Sequence, residues 1–352
     1  VAPECTPTRV ELLAGQYAAR VGVTQVHRNR IYPNAPLLTP EPESVLPEEN
    51  YTIAEMLQNN GYVTGISGKW HVGDGYRVGV IRDRSGNDYF EPYGFDFVGS
   101  AREKPWNKVD KEKATLDITR EIIHFVDSVR TEEAPFFAYL PYFSPHTPLE
   151  APDSLVEKYT RRGYPESSQV FGVASERPTA EYLAMIDLLD HSIGLLVEKL
   201  EEWDVINNTM IVFMSDNGAL NRAWDNYPMR GAKGVLYEGG IRVPMFIHWS
   251  DEVEGGSRID IPVHIVDLYP TFAEVAKASL PESKILDGIS LLPLLKDKQK
   301  LKPRSLFWHH PHYIHDYGKT PSSAVRAGRY KLVYHFGDYL QTKYRLPVRG
   351  EP

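Results

Sequence analysis

The sequence predicts an α/β fold, with a mostly parallel central sheet sandwiched by helices and a small antiparallel subdomain at the C-terminal end. Three observations predict it. Apolar runs of strand length alternate with segments of helical period. Strand, helix, strand in succession makes a largely parallel sheet, which must be covered by helices. After about residue 300 the texture changes to shorter runs separated by turns.

Each element follows from a local pattern. Thr52-Ile53-Ala54-Glu55 has the capping-box spacing and opens a short helix that Gly61 stops. Tyr62–Ile66 reads as the next strand. From Leu116 to Val129 the apolar residues Ile118, Ile122, Phe125, Val126 and Val129 share one helical face. Pro135–Leu140 reads as a buried strand. Thr179 to Trp203 is the longest helix, with a stripe from Tyr182 through Leu189 to Leu200. Met210–Met214 reads as another buried strand, Pro244–Trp249 as a further strand, and Val266 to Ala278 as a helix. Leu306-Phe307-Trp308 and Ala324–Tyr334 supply the short strands of the C-terminal part. Residues 1–300 are expected to form one α/β domain and 301–352 a small subdomain.

Composition narrows the function. The 352 residues suffice for one large α/β domain or two modest ones. A net charge of -8 gives no reason to expect a nucleic-acid partner. No apolar run is long enough to span a membrane. Val1-Ala2-Pro3-Glu4 lacks the basic start and apolar stretch of a signal peptide. There is one cysteine, Cys5, so no intrachain disulfide forms.

Ligands of open α/β sheets bind beyond the carboxyl ends of the strands. That rule brings together the loops after Ile66, Leu140 and Met214. Five segments carry reactive residue types, and each has a plain structural reading beside the chemical one. A single cysteine is ordinarily a small buried hydrophobe, but Cys5 lies in the polar, proline-rich run Cys5-Thr6-Pro7-Thr8-Arg9. Thr6 can cap a helix and Pro7 suits its first position, which places Cys5 just outside an anion-attracting helix terminus. A surface loop is an equal reading. Gly68-Lys69-Trp70-His71 follows a strand, and an extended loop would point Lys69 and His71 to one side; it is also an ordinary turn. Ser144-Pro145-His146-Thr147-Pro148 holds His146 in a stiff loop, and is equally a rigid turn. Ser215-Asp216-Asn217-Gly218 offers a carboxylate and an amide oxygen to a hard cation, but it is also good turn chemistry. Arg230-Gly231-Ala232-Lys233-Gly234 lets the backbone approach a ligand and Lys233 reach an anion, or is a flexible connection.

Taken in order, Cys-x-Pro-x-Arg, Gly-Lys-Trp-His, Pro-His-x-Pro, Ser-Asp-Asn-Gly and Gly-x-Lys-Gly closely resemble the type I, formylglycine-dependent sulfatases of the alkaline phosphatase superfamily. Smaller matches at Tyr93-Gly94-Phe95-Asp96, Leu189-Asp190, Asp267–Thr271 and Ala324-Val325-Arg326 extend the resemblance over nearly the whole chain.

The resemblance implies that Cys5 is oxidised to formylglycine by a dedicated maturation enzyme. The hydrated aldehyde then attacks sulfur and leaves a bound sulfate ester, and its second hydroxyl expels sulfate. Arg9 corresponds to the arginine that steadies the formylglycine. Asp216, Asn217 and the modified Cys5 correspond to ligands of calcium, or of magnesium. Lys69 and Lys233 correspond to lysines that hold the sulfate. His71 corresponds to a histidine beside the formylglycine that can act as a base. His146 corresponds to one near the leaving oxygen, with Lys233 as proton donor. The implied substrate is a sulfated sugar or aryl sulfate, and the implied location is periplasmic, secreted or lysosomal. The rival activities are a phosphonate or phosphate ester hydrolase and a non-catalytic anion- or glycan-binding relative.

Family members carry an Asp-Asp pair on a first central strand ahead of the cysteine motif, and Val1 lies four residues before Cys5. The 352 residues are therefore expected to be part of a longer chain. By themselves they are expected to lack that strand, bind calcium poorly and turn over little. Pocket walls are expected from residues 74–90, 100–112 and 160–178. Trp308-His309-His310-Pro311-His312-Tyr313 reads foremost as a polar loop, then as a substrate subsite, and last as a transition-metal site.

Overall fold

The computed structural model describes all residues except 27–34, 36, 42, 44, 73–92, 101–110, 132–133, 168–177, 221–225, 297–300, 315–319 and 337–352. The expected walls at 74–90, and most of those at 100–112 and 160–178, lie outside the described residues. Helix α1 (Cys5–Ala14) turns at Gly15 into α2 (Ala18–Val21). The predicted capping box opens α3 (Ile53–Gln58): Glu55 N donates to Thr52 Oγ1 at 3.1 Å, and Thr52 N to Glu55 Oε2 at 2.7 Å. Strand β1 (Val63–Ile66) follows, then β2 (Phe97–Val98), α4 (Thr115–Val129) and β3 (Phe136–Tyr139). β1 lies centrally and pairs in parallel with both β2 and β3. α4 covers them with the face its period predicts, burying Ile118, Ile122, Phe125, Val126 and Val129.

Helix α5 (Asp153–Thr160) packs on α6 (Ala180–Glu202), the longest helix among the described residues. Thr179 caps α6 by accepting from Tyr182 N at 3.3 Å. Strand β4 (Ile211–Met214), short helix α7 (Glu238–Ile241) and strand β5 (Met245–His248) come next. β4 and β5 pair antiparallel in a two-stranded sheet of their own, and so depart from the parallel order that alternation predicts. Among the described residues the connection between them carries four helical residues, not the packed crossover helix of a parallel return. Both strands are half-buried rather than buried, because Phe213 and Phe246 stand exposed at 37% and 65%.

Helices α8 (Leu268–Val275) and α9 (Leu292–Lys296) lead to the C-terminal sheet of β6 (Ser305–His310), β7 (Ser322–Ala327) and β8 (Tyr330–His335), antiparallel as predicted. Before α8, Asp267 is completely buried. It accepts from His264 N at 2.7 Å and Ile289 N at 3.0 Å and pairs with Arg304. The three-stranded sheet does not stand apart, since Leu306, Trp308 and Ala324 share a core with Leu236 and Ile241. β6 alternates strictly, with Leu306, Trp308 and His310 inward and Phe307 and His309 outward. The segment read as a polar loop is thus half strand, and His310 and His312 are each only 2% exposed. Among the described residues no helix is long and apolar enough to cross a membrane.

Candidate active site

The N-terminus of α1 is the centre of the site. Cys5 is the first helical residue, not the residue before it, and Glu4 takes the N-cap position without a side-chain cap. Thr6 therefore does not cap the helix; its Oγ1 donates instead to the carbonyl of His71 at 2.8 Å. Cys5 is 2% exposed in spite of its polar sequence context. What buries it is long-range: the loops carrying residues 69–72, 216–219 and 231–234 close over the helix end.

Arg9, one turn along α1, ties these loops together. Its Nη1 donates to Lys69 O at 2.8 Å and to Tyr139 Oη at 3.3 Å, and its Nη2 pairs with Asp216 Oδ2 at 3.0 Å. One guanidinium thus touches the ends of β1, β3 and β4, a job its fork of donors suits. The loop after β1 is further fixed by Lys69 N, which donates to Pro141 O at 2.7 Å. Gly68 sits at φ 121°, and a Cβ there would collide with the same carbonyl, so only glycine fits.

The nucleophile position is contacted from two sides. Lys233 Nζ donates to Cys5 Sγ at 3.1 Å, and Cys5 Sγ donates to Asn217 Oδ1 at 3.3 Å. Lys233 is held by its own N–H, which donates to Ala219 O at 3.0 Å. A side chain at Gly218 would run into the carbonyl of Gly239, so close glycine packing brings the Asp216-Asn217 turn against the loop that carries Lys233.

Charge in the site is lopsided. Arg9, Lys69 and Lys233 face the carboxylate of Asp216, and Lys233 also feels that of Glu4. Burial alone would raise the Asp216 carboxyl, but Arg9, Lys69 and Lys233 hold it well below the usual carboxylate range. Burial also opposes the charge on Lys233, yet Cys5 and Asp216 hold that ammonium above its ordinary value. Lys69 is lowered, by burial first and then by Arg9 and Lys233. Burial and the same three cations push the half-buried His71 well below an ordinary histidine. His146 is also lowered, by the surrounding protein and then by Lys233 and Lys69, although its ring reaches solvent. Both imidazoles are therefore neutral at neutral pH. His146 Nδ1 lies 2.7 Å from Thr147 O, which can only accept, so Nδ1 carries the proton and Nε2 the lone pair. His71 adopts φ 61°, and its buried Nδ1 has no hydrogen-bond partner among the described residues.

The structure thus joins the side chains of Cys5, Arg9, Asp216, Asn217 and Lys233 by direct contacts, and Lys69 through its backbone carbonyl. His71 is attached through its backbone, and His146 reaches the group only through its field. Sequence reasoning missed Tyr139, read as one more apolar strand residue. Its signal was a hydroxyl at the carboxyl end of a strand. It also missed Glu4, which no motif includes.

Two donors suit a hard cation in kind, the Asp216 carboxylate, which stays ionised, and the Asn217 amide oxygen, whereas the Cys5 thiol is a soft ligand until it is converted to an oxygen-bearing group. They form part of the six to eight ligands calcium takes. Among the described residues no group of three or more His, Cys, Asp or Glu side chains is placed to hold a metal ion.

Comparison with known proteins gives the same reading of this architecture. A family model described as Sulfatase matches residues 1–278, and one described as N-sulphoglucosamine sulphohydrolase, C-terminal, matches residues 231–345. A protein named Sulfatase from Formosa agariphila is 27% identical over 97% of this chain and 73% of its own length. Uncharacterized sulfatase YdeN from Escherichia coli is 30% identical over 86% of this chain, which spans only 55% of that protein. The crystal structure of Ps i-CgsB in complex with k-i-k-neocarrahexaose aligns with a TM-score of 0.75 at 27% identity, over 96% of this chain and 74% of that one. Since the first family match takes in every element that builds the site, from α1 to the loop of Lys233, this chain belongs to the sulfatase family, in the alkaline phosphatase superfamily.

Proposed function

We propose that the protein is a sulfuric ester hydrolase that cleaves sulfate esters of carbohydrates or aryl alcohols, with formylglycine made from Cys5. The observation that carries the reading is the pairing of a buried, solitary cysteine with Lys233 at 3.1 Å and Asn217 at 3.3 Å, inside a ring of cations. The oligosaccharide held by the related Ps i-CgsB supports a sulfated glycan as substrate. Residues 1–300 would form the catalytic domain and 301–352 its C-terminal subdomain. The partners are then the sulfated substrate and a formylglycine-generating or other maturating enzyme, in a periplasmic, secreted or lysosomal setting.

The roles follow from protonation and position. Arg9, Lys69 and Lys233 place fixed positive charge where negative charge accumulates on the sulfuryl oxygens, and need little rearrangement to do so. Lys233 lies beside residue 5, and Asp216 favours its charged form, so it can bind a sulfate oxygen and protonate the departing alkoxide. His71, held neutral, can accept a proton from residue 5. His146 offers its Nε2 lone pair to the leaving-group side. Two groups pushed apart in basicity divide acid from base work. Once converted and hydrated, residue 5 supplies the oxygen nucleophile. Asp216, Asn217 and residue 5 would hold calcium or magnesium, which draws charge from the sulfate.

Matched aryl sulfate, phosphate and phosphonate esters, with a sulfated oligosaccharide, test this after co-expression with a formylglycine-generating enzyme and addition of calcium. Preferential turnover of the sulfate is expected. Faster phosphate or phosphonate cleavage would make the protein a hydrolase of those esters. Saturable oligosaccharide binding without turnover would make it a binding protein.

A further inference from the structure

The histidine-rich stretch has a role that none of its sequence readings contained. Residues 1–4 lie in neither helix nor strand, yet each is held. Val1 O accepts from Trp308 Nε1 at 2.9 Å, and Ala2 O accepts from Thr8 Oγ1 at 3.2 Å. Pro3 O accepts from Gly234 N at 2.9 Å. Glu4 Oε2 lies 3.2 Å from His310 Nε2, with both side chains buried. At an N-cap a short polar side chain ordinarily turns back onto the free N–H groups of its own helix. Glu4 instead turns away, to β6.

His310 is itself seated. Its ring packs edge-on against His312 at 5.7 Å between centroids, and His312 Nε2 lies 2.6 Å from Thr24 Oγ1. At 2% exposure each, these two imidazoles offer no surface to a saccharide, whereas the neighbouring His309 is exposed. Burying a carboxylate and two imidazoles costs free energy unless their polar atoms are matched. Two polar contacts do this, Thr24 Oγ1 with His312 Nε2 and His310 Nε2 with Glu4 Oε2, and the two rings between them touch edge to face.

We propose that His310 is a positioning residue: by holding Glu4 it fixes the chain entering α1, and with it the reactive atom of residue 5 against Lys233 and Asn217. The same four-residue segment reaches both members of the Cys5–Lys233 pair, because Pro3 holds Gly234, the neighbour of Lys233. A shift of about 1 Å at a reacting atom is enough to cost on the order of 100-fold in rate.

Two readouts test it, and only the second rests on the proposed function. In unmodified protein Cys5 is the one thiol, so its alkylation by iodoacetamide reports the closure of the site directly. His310→Ala is expected to speed alkylation by at least about tenfold. His310→Gln, which keeps a donor, is expected to restore a rate close to wild type. Glu4→Gln alters the same contact from the other side and takes the place of His310→Ala if that variant does not fold. In matured protein, His310→Ala is expected to lower kcat for an aryl sulfate by about 10- to 100-fold with KM within about twofold. Wild-type alkylation rates in both His310→Ala and Glu4→Gln would overturn the proposal. So would a raised KM at constant kcat, or a lowered melting temperature with kcat and alkylation unchanged. Faster phosphate- or phosphonate-ester than sulfate-ester turnover in the wild type would refute the proposed function and leave the alkylation result to decide this point alone.

Discussion

Around β1, β3 and β4 every site residue lies at or just beyond the carboxyl end of a strand: Lys69 and His71 after Ile66, Tyr139 closing β3, and Asp216 and Asn217 after Met214. The C-terminal sheet is built the other way. Its contribution comes from inside strand β6 and just past its end, where Trp308, His310 and His312 face inward beneath the start of α1. In the proposed roles the first region surrounds residue 5, which Asn217 contacts directly, and the second holds the chain that carries it. The difference is physical. Strand ends leave backbone free to turn toward a ligand, whereas an alternating strand can only present every second side chain to whatever packs on it.

The sharpest way to break this division is at the contact centre. Cys5→Ala, after co-expression with the maturation enzyme, is expected to lower kcat/KM for an aryl sulfate by about 10⁴-fold or more. Lys233→Ala removes one cation from a preorganised set and is expected to cost about 10²- to 10³-fold, mostly in kcat. Steady-state kinetics on both variants checks the ranking. A larger loss from His310→Ala than from Lys233→Ala would invert the comparison.

A smaller effect lies at the boundary between the regions. Glu11, on α1, lines a cleft with Tyr17, Phe307 and Trp308, and its Oε2 lies 3.9 Å from His264 Nε2. Burial pushes its carboxyl up to about 7 from an ordinary 4.5. Between those values the folded chain binds more protons than the unfolded one, so stability falls as pH rises through that window. The effect is on the order of a few kcal/mol and disappears in Glu11→Gln. Thermal unfolding of both proteins at a series of pH values from below 4.5 to above 7 checks it. Smallest is Tyr139→Phe, which takes one hydroxyl from Arg9 and leaves its other partners. It is expected to cost about 1 kcal/mol, a several-fold drop in kcat. Loss of activity as large as in Lys233→Ala would make Tyr139 part of the reacting set.

The two regions were unequally legible. α3 was readable to the residue because Thr52 and Glu55 answer each other locally. α4 and α6 were readable because their apolar stripes repeat every three or four residues. The residues gathered around Cys5 stood out because they sit in short polar motifs, as after the apolar runs of β1 and β4. Three things were not local. Whether β5 ran parallel or antiparallel to β4 depended on how residues 215–244 fold back. Burial of Cys5 depended on loops more than 60 positions away. His310 looked like part of a polar loop because nothing near it in sequence announces Glu4, 306 positions earlier.

The central claim is that Cys5 is the residue matured into the nucleophile. The most direct measurement is the mass of the tryptic peptide that contains Cys5 and ends at Arg9, after co-expression with a formylglycine-generating enzyme known to be active on a control. The account predicts a mass lower by the difference between a thiol-bearing and an aldehyde-bearing side chain, confined to protein made with the enzyme. An unmodified Cys5 under the same conditions would contradict it, and would leave Lys69, Lys233 and Arg9 as an anion-binding site without a nucleophile.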